Sequence, residues 1–255
     1  MLFPFLQNIF QTDEYVMANN LHSYKYINNN NNYLYMSTKN IPKIFYINLD
    51  KRNDRRELIE NELKQYNLYD KAERIPAIHT PDQGILGCTM SHLAAIKLAK
   101  ERNYNQVLIL EDDFYFTLPL EEFENLLAQF YSSTPDLQVC MLSYNMVRSE
   151  PTNHPFLLKV LEAQTASGYI IHQSLYDPLI QVFEEAIPLL RDTKEHWNYA
   201  NDQIWKRLQP NSNWFAIHPR CGKQRDGFSD NANQYISYDC WQKNINILSQ
   251  SYLNK

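Results

Sequence analysis

Val107-Leu108-Ile109-Leu110-Glu111-Asp112-Asp113 decides the fold. Four apolar residues bounded by Asn105 on one side run straight into three carboxylates, which predicts a buried strand that stops at a polar edge. In open α/β sheets ligands bind outside the carboxyl ends of the strands, so the triplet stands where a ligand would. If the extended conformation continues, Glu111 and Asp113 point to one side and Asp112 to the other. Adjacent carboxylates repel one another, a cost offset by a bound cation or by basic groups nearby. A solvated acidic turn is the competing reading. Oxygen-only ligation at such a site suits Mn2+ or Mg2+ better than Zn2+.

Upstream, Ile44, Phe45, Tyr46, Ile47 and Leu49 form a β-forming run, followed by a helical pattern through Leu58, Ile59, Leu63 and Tyr66. A second run, Ile75 to Ile78, precedes a helix carrying Leu93, Ile96 and Ala99. Strands alternating with helices predict an α/β fold with a mainly parallel central sheet flanked by helices. Downstream, the pattern predicts a helix over 120–131, a strand over 139–142, an irregular segment from 144 to 153 containing Pro151, and a strand over 169–172. A helix over 175–190 follows, capped by Ser174 and strained or ended near Pro188, and the tail from Tyr235 to Leu248 reads as helix.

The chain has 255 residues, 44% of them hydrophobic, enough to bury a full core as one large unit. Residues 1–42 form an Asn/Tyr-rich N-terminal extension with five consecutive asparagines, Asn28 to Asn32, and 43–255 form the main domain. Alternating Tyr24, Tyr26, Tyr33 and Tyr35 suit a strand or hairpin arm against a partner, such as a second copy in a homodimer. A net charge of −5 argues against a nucleic-acid partner. Cys88, Cys140, Cys221 and Cys240 have neither zinc-finger nor disulfide-framework spacing and read as reduced packing residues. The short apolar start lacks a basic leader and no stretch approaches the ~20 apolar residues of a transmembrane helix, so a cytoplasmic protein, or one peripheral to an internal membrane, is expected.

A basic cluster lies between the first strand and its helix, again at a carboxyl end: Asp50, Lys51, Arg52, Asn53, Asp54, Arg55, Arg56. Arg52 and Arg55 can present planar donor forks to phosphate or to a base edge, and nearby helix N–H groups also favour anions. A charged, solvated helix start is the alternative.

Together these stretches resemble glycosyltransferase family 25, which includes lipooligosaccharide and collagen-modifying galactosyltransferases. The resemblance starts with Ile47-Asn48-Leu49-Asp50-Lys51-Arg52, Asp54 and Arg55, and continues through Pro76, Ala77 and Ile78. Its most specific part is Gly87, Cys88, Ser91 and His92, followed about twenty residues later by the strand and its acidic triplet. It persists weakly at Gly168, Tyr169, Asp202, Pro219, Gln224, Ser229 and Asp230. The resemblance implies a GT-A type fold, a UDP-sugar donor, commonly UDP-galactose, and a divalent metal at the triplet.

On that footing the metal ligands are Glu111 and Asp113, with Asp112 left for the donor's ribose, and the ion would neutralise the diphosphate of the departing nucleotide. Asn48, Arg52 and Arg55 are the nucleotide candidates. Ser91 and His92, at the expected start of a helix, could hydrogen-bond the donor; alternatively Ser91 caps the helix and His92 packs beneath the site. If the family's chemistry inverts the sugar carbon, a carboxylate must deprotonate the acceptor hydroxyl, and Asp202 is the candidate, with a helix N-cap as the other reading. Trp197, Trp205 and Trp214 offer a sugar-stacking face or core packing. The activity expected is transfer of a galactose or glucose unit from a UDP-sugar to a hydroxyl of a glycan or protein. A metal-dependent nucleotidyltransferase and a non-catalytic glycan-binding protein are the other readings.

Overall fold

Strand β1 (Ile44–Asn48) is buried along its whole length, which requires cover on both faces of the sheet. Its alternate residues supply two separate cores. Phe45 and Ile47 join one cluster with Leu93, Ile96 and Phe183, whereas Ile44 and Tyr46 join the other with Ile59, Leu63, Phe123 and Phe130. Each such side chain, fully buried, contributes roughly 1.5–3 kcal/mol, so the two-sided cover is what fixes the strand's register.

The computed structural model describes residues 41, 43–134, 136–230 and 234–237. The N-terminal extension, with its proposed dimerising arm, and Cys240 lie outside them. After β1 come α1 (Asn53–Gln65), β2 (Ala72–Pro76), α2 (Gly84–Glu101), β3 (Gln106–Glu111) and β4 (Phe114–Phe116). Then follow α3 (Leu120–Ser133), β5 (Val139–Met141), β6 (Asn145–Pro151), β7 (Leu157–Gln164), β8 (Gly168–His172) and α4 (Tyr176–Thr193). Two short helices, α5 (His196–Tyr199) and α6 (Asn201–Ile204), precede β9 (Trp214–Ile217), β10 (Gly222–Gln224), β11 (Gly227–Ser229) and β12 (Gln234–Ile236).

The main sheet has the order β2-β1-β3-β8-β5-β9-β7-β6. Following the pairings across it, six strands point the same way and β8 and β7 run against them, so the sheet is mainly parallel in direction. Helices α2 and α4 cover one face; α1 and α3 cover the other. No helix among the described residues is long and apolar enough to cross a membrane.

Several elements depart from the sequence reading. The segment over 144–153 is strand β6, paired antiparallel with β7. Its outer position leaves it without an apolar alternation, and register shifts at Met146/Arg148 and Arg148/Ser149 blur its period further. Helix α4 runs through Pro188 to Thr193. Pro188 sits on the exposed face, where the carbonyl it releases on Glu184 meets water, while Leu179, Val182, Phe183, Ala186 and Leu190 bury the opposite face. Ser174 does not cap α4; the cap position is Leu175, without a side-chain bond, and Ser174 pairs with the His172 ring. At the tail, Gln234–Ile236 is strand β12, not helix, because it pairs with β11; residues beyond 237 lie outside the described residues.

Candidate active site

Strands β1, β2 and β3 end side by side, and the segments leaving them line a cleft of about 540 Å³. Leu49, Lys51 and Arg55 come from beyond β1, Ala77 to Asp82 from beyond β2, Glu111 from the last position of β3, and Asp112 and Asp113 from beyond it. Gln224 of β10 and Phe228, Ser229 and Asp230 close the remaining side.

The acidic triplet forms the floor. Extended backbone stops at Glu111, and Asp112 and Asp113 make a turn into β4, so the simple alternation expected of a continuing strand is lost. As a result one guanidinium nitrogen, Arg55 Nη1, donates to both Asp112 Oδ1 (3.0 Å) and Asp113 Oδ2 (3.2 Å). On the other side Gln224 Nε2 donates to Glu111 Oε2 (3.2 Å) and lies 3.5 Å from Asp113 Oδ1, so Glu111 and Asp113 do share a face.

An apolar anchor holds this turn in place. The ring of Phe114, next to Asp113, fills the space above Gly168 and Gly222, where an added Cβ would come within 2.5 and 2.2 Å of it. The backbone amide of Arg225 donates to the Asp113 carbonyl at 2.7 Å, fixing the turn to the β10 strand.

Burial and the adjoining Glu111 charge push the Asp113 carboxyl up to about 8, against the opposing pull of Arg55. Asp112 is also raised by burial, with Arg55 and the Asn48 amide opposing it. Three carboxylates thus meet one guanidinium, the neutral amides of Gln224 and Asn48, and the His92 ring. That imbalance, with oxygen donors of Glu111 and Asp113 converging on a single Gln224 nitrogen, fits a divalent cation held by oxygen.

Asn48 is buried and serves the floor from below. Its Nδ2 donates to Asp112 Oδ2 (2.7 Å) and to the Arg52 carbonyl, while its Oδ1 accepts from Arg74 Nε (2.9 Å). Arg52 is turned to the rim, paired with Asp54 (2.8 Å) and Asp230 (2.5 Å), and does not line the cleft as Arg55 does. Lys51 also reaches Asp230 at 2.9 Å. Arg52 and Arg55 both donate to the Phe228 carbonyl, so the β11–β12 ribbon is strapped to the start of α1.

Helix α2 begins at Gly84, seven residues before Ser91, so Ser91 is neither at the helix start nor a cap. Its hydroxyl donates to the Gly87 carbonyl (2.6 Å) and accepts from the Ile78 amide (2.8 Å), tying the loop after β2 to the helix. Gly87 permits that approach: an added Cβ would lie 2.3 Å from the Ile78 carbonyl oxygen. His92 is fully buried behind the floor, with Nε2 3.0 Å from Glu111 Oε1 and Nδ1 3.0 Å from the Tyr169 hydroxyl.

Asp202 does not line the cleft. Its Oδ2 accepts from the Thr165 amide (3.0 Å), pinning a residue held at φ 82, and its Oδ1 accepts from Gln203. It occupies the second position of α6 and is not the N-cap, which is Ala200. Burial raises its pKa, and the Thr165 hydrogen bond opposes the rise. Trp205 and Trp214 are fully buried and packed edge to face at 5.1 Å, which makes them core; Trp197 is exposed. Cys88, Cys140 and Cys221 are free thiols, as expected.

Gln224, Phe228 and Tyr169 had no assigned role in the sequence. Tyr169 and Gln224 were marked only as weak points of resemblance and Phe228 not at all, because they reach the floor through pairings between distant segments: Gln224 lies opposite Phe114, and Tyr169 opposite Ile109.

Residues 79–204 match the sequence model of glycosyltransferase family 25 (LPS biosynthesis protein), a region that spans the acidic triplet, Ser91, His92 and Asp202. The class so defined is a sugar-transferring enzyme, a glycosyltransferase. Over that region, just under half of its length, the chain is similar to glycosyltransferase family 25. Among curated proteins, none matches the sequence. Solved structures that resemble it include a glycosyltransferase involved in the glycosylation of the major capsid of PBCV-1, with TM-score 0.48 and 10% identity over 75% of this chain and 95% of that one. A197 from STIV aligns with TM-score 0.39 and 10% identity, over 77% of this chain and 93% of its own. UDP-glucose pyrophosphorylase complexed with UDP-glucose aligns with TM-score 0.40 and 10% identity, over 69% and 72%.

Proposed function

We propose that the chain moves a hexose, galactose or glucose, from a UDP-sugar to a hydroxyl of a glycan or protein acceptor, with inversion and with a divalent cation, Mn2+ or Mg2+, on the floor of the cleft. The observation that carries this reading is the charge imbalance there: Glu111, Asp112 and Asp113 face one guanidinium, that of Arg55, with the amides of Gln224 and Asn48, the His92 ring and the Cys88 thiol as their other partners. Glu111 and Asp113 would hold the ion, and when bound it supplies positive charge to the diphosphate of the donor.

The chain's own groups have separate tasks. Arg55 keeps Asp112 and Asp113 in position and presents its charge to the cleft. Asn48 orients Asp112, the candidate for the ribose, and Arg52 fixes the rim that confines the nucleotide. Ser91 shapes the loop after β2, and His92 orients Glu111. Asp202 is the candidate base, supported by its raised affinity for a proton; accepting one from the acceptor requires it to exchange its bond to Thr165. Residues 43–255 would form the catalytic domain, and 1–42 an extension to it.

A panel of UDP-sugars assayed for Mn2+-dependent UDP release, with and without glycan or peptide acceptors, tests the reading. Release from one sugar that disappears in Asp113→Ala supports it. Full activity of Asp113→Ala in the presence of metal removes the metal role, and pyrophosphate as product moves the chain to nucleotidyl transfer. Asp202→Asn keeps an acceptor for the Thr165 amide, so a drop in kcat with KM preserved assigns the base, and unchanged kcat removes it.

A further inference from the structure

Glu111 has two oxygens in different company. Oε2 faces Gln224 and, across it, Asp113. Oε1 faces a different pair: His92 Nε2 at 3.0 Å and Cys88 Sγ at 3.7 Å. Cys88 and His92 are four residues apart on α2, so they project from one face of the helix toward the end of β3. The three donor atoms, one sulfur, one nitrogen and one oxygen, all lie within 4.8 Å of one another.

The two separations to Glu111 are close to edges of a zinc tetrahedron. With Zn–S near 2.3 Å and Zn–N and Zn–O near 2.0 Å, tetrahedral angles give N···O of about 3.3 Å and S···O of about 3.5 Å. The outer shell is present as well. The Tyr169 hydroxyl lies 3.0 Å from His92 Nδ1, where it can accept that ring proton and leave the Nε2 lone pair for a metal. All three side chains line the cleft, which supplies room for a fourth ligand.

We propose that Cys88, His92 and Glu111 form a second metal position in the cleft, selective for a borderline-soft divalent ion such as Zn2+, on the opposite oxygen of Glu111 from the oxygen-only position. Binding releases the thiol proton to solvent and replaces the hydrogen bonds between the three side chains with bonds to the ion. The position does not depend on which sugar the enzyme transfers, or on whether the oxygen-only position is used.

Cobalt(II), titrated into the full chain after chelator treatment, is the probe. The expected result is a four-coordinate visible spectrum with a near-ultraviolet thiolate-to-cobalt band, reversed by Zn2+. The band is lost in Cys88→Ser and retained in Cys240→Ser, and Tyr169→Phe weakens Zn2+ binding by about 10- to 100-fold. A band that survives Cys88→Ser, or a spectrum without any thiolate contribution, overturns the proposal. X-ray absorption of the zinc-loaded wild-type chain decides the matter without a variant: one sulfur at about 2.3 Å supports the site, and a shell of nitrogen and oxygen alone excludes it.

Discussion

The floor and the rim of the cleft use the same chemistry in opposite ways. Arg52 and Arg55 leave the same stretch of chain three residues apart, and each binds two carboxylates. At the rim, Asp230 has Arg52 and Lys51 beside it and keeps 20% of its side-chain surface exposed; these partners hold its carboxyl below the usual range even though partial burial opposes them. At the floor, Asp113 has Arg55 but also Glu111 and Asp112, and burial drives its carboxyl the other way. The number of ion pairs is therefore a poor guide to how comfortable a charge is. What matters is the balance of charge within a volume from which water is excluded.

Removing each arginine in turn puts this contrast under the greatest load. Arg55→Ala leaves two buried carboxylates without their cation and is expected to cost about 3–5 kcal/mol in urea denaturation without metal, whereas Arg52→Ala at the rim costs roughly 1 kcal/mol or less. Equal losses would dissolve the distinction. The pH dependence sharpens it. Because the folded Asp113 carboxyl lies above its unfolded value, its contribution is complete at low pH and is lost as pH rises through about 8. The melting temperature of the metal-free protein should therefore fall from about pH 5 to about pH 8, with a slope no steeper than one proton allows, about 1.4 kcal/mol per pH unit, and Asp113→Asn should flatten it. Asp230, whose carboxyl is lowered, contributes above its unfolded value and loses that contribution as pH falls through the folded one, so Asp230→Asn should alter only the acid limb.

A smaller change tests the wall between floor and rim. Gly87→Ala places a methyl group against the Ile78 carbonyl and should cost about 1–3 kcal/mol, while shifting the loop that lines the cleft enough to raise KM for the donor. The smallest effect expected is that of Asp230→Asn on stability near neutral pH, about 1 kcal/mol or less by thermal melts, since Lys51, one of its two partners, stays accessible to water.

The floor was more legible than the rim for a physical reason. Glu111, Asp112 and Asp113 are contiguous, directly follow an apolar strand, and need no other segment to be recognised. Strands β1 and β3 and helix α2 announce themselves in the same local way, through unbroken apolar runs and a helical period. The roles of Gln224, Phe228 and Asp230 depend on chain more than a hundred residues distant folding back onto the site, and no period in their own neighbourhood encodes that return. The β6–β7 hairpin escaped notice for a related reason: an outer strand exposed on much of its length carries little of the alternation that burial imposes. Ser91 and Asp202 were legible as positions of interest but not as contacts. Each is engaged by a backbone amide from a loop, Ile78 for one and Thr165 for the other, that the sequence alone does not bring near.

The Phe114 ring, lodged over Gly168 and Gly222, gives the cleft a practical property. An acidic turn held only by ion pairs would spread when its counter-ions leave, and the energy of ligand binding would be dissipated in reshaping it. Here the turn is pinned by a ring with no charge to lose, so adding or withdrawing a cation changes the energy of the native state far more than its outline. Melting temperature then becomes a direct report of occupancy. A thermal-shift screen of ions and nucleotide sugars can rank ligands for this enzyme before any acceptor is known.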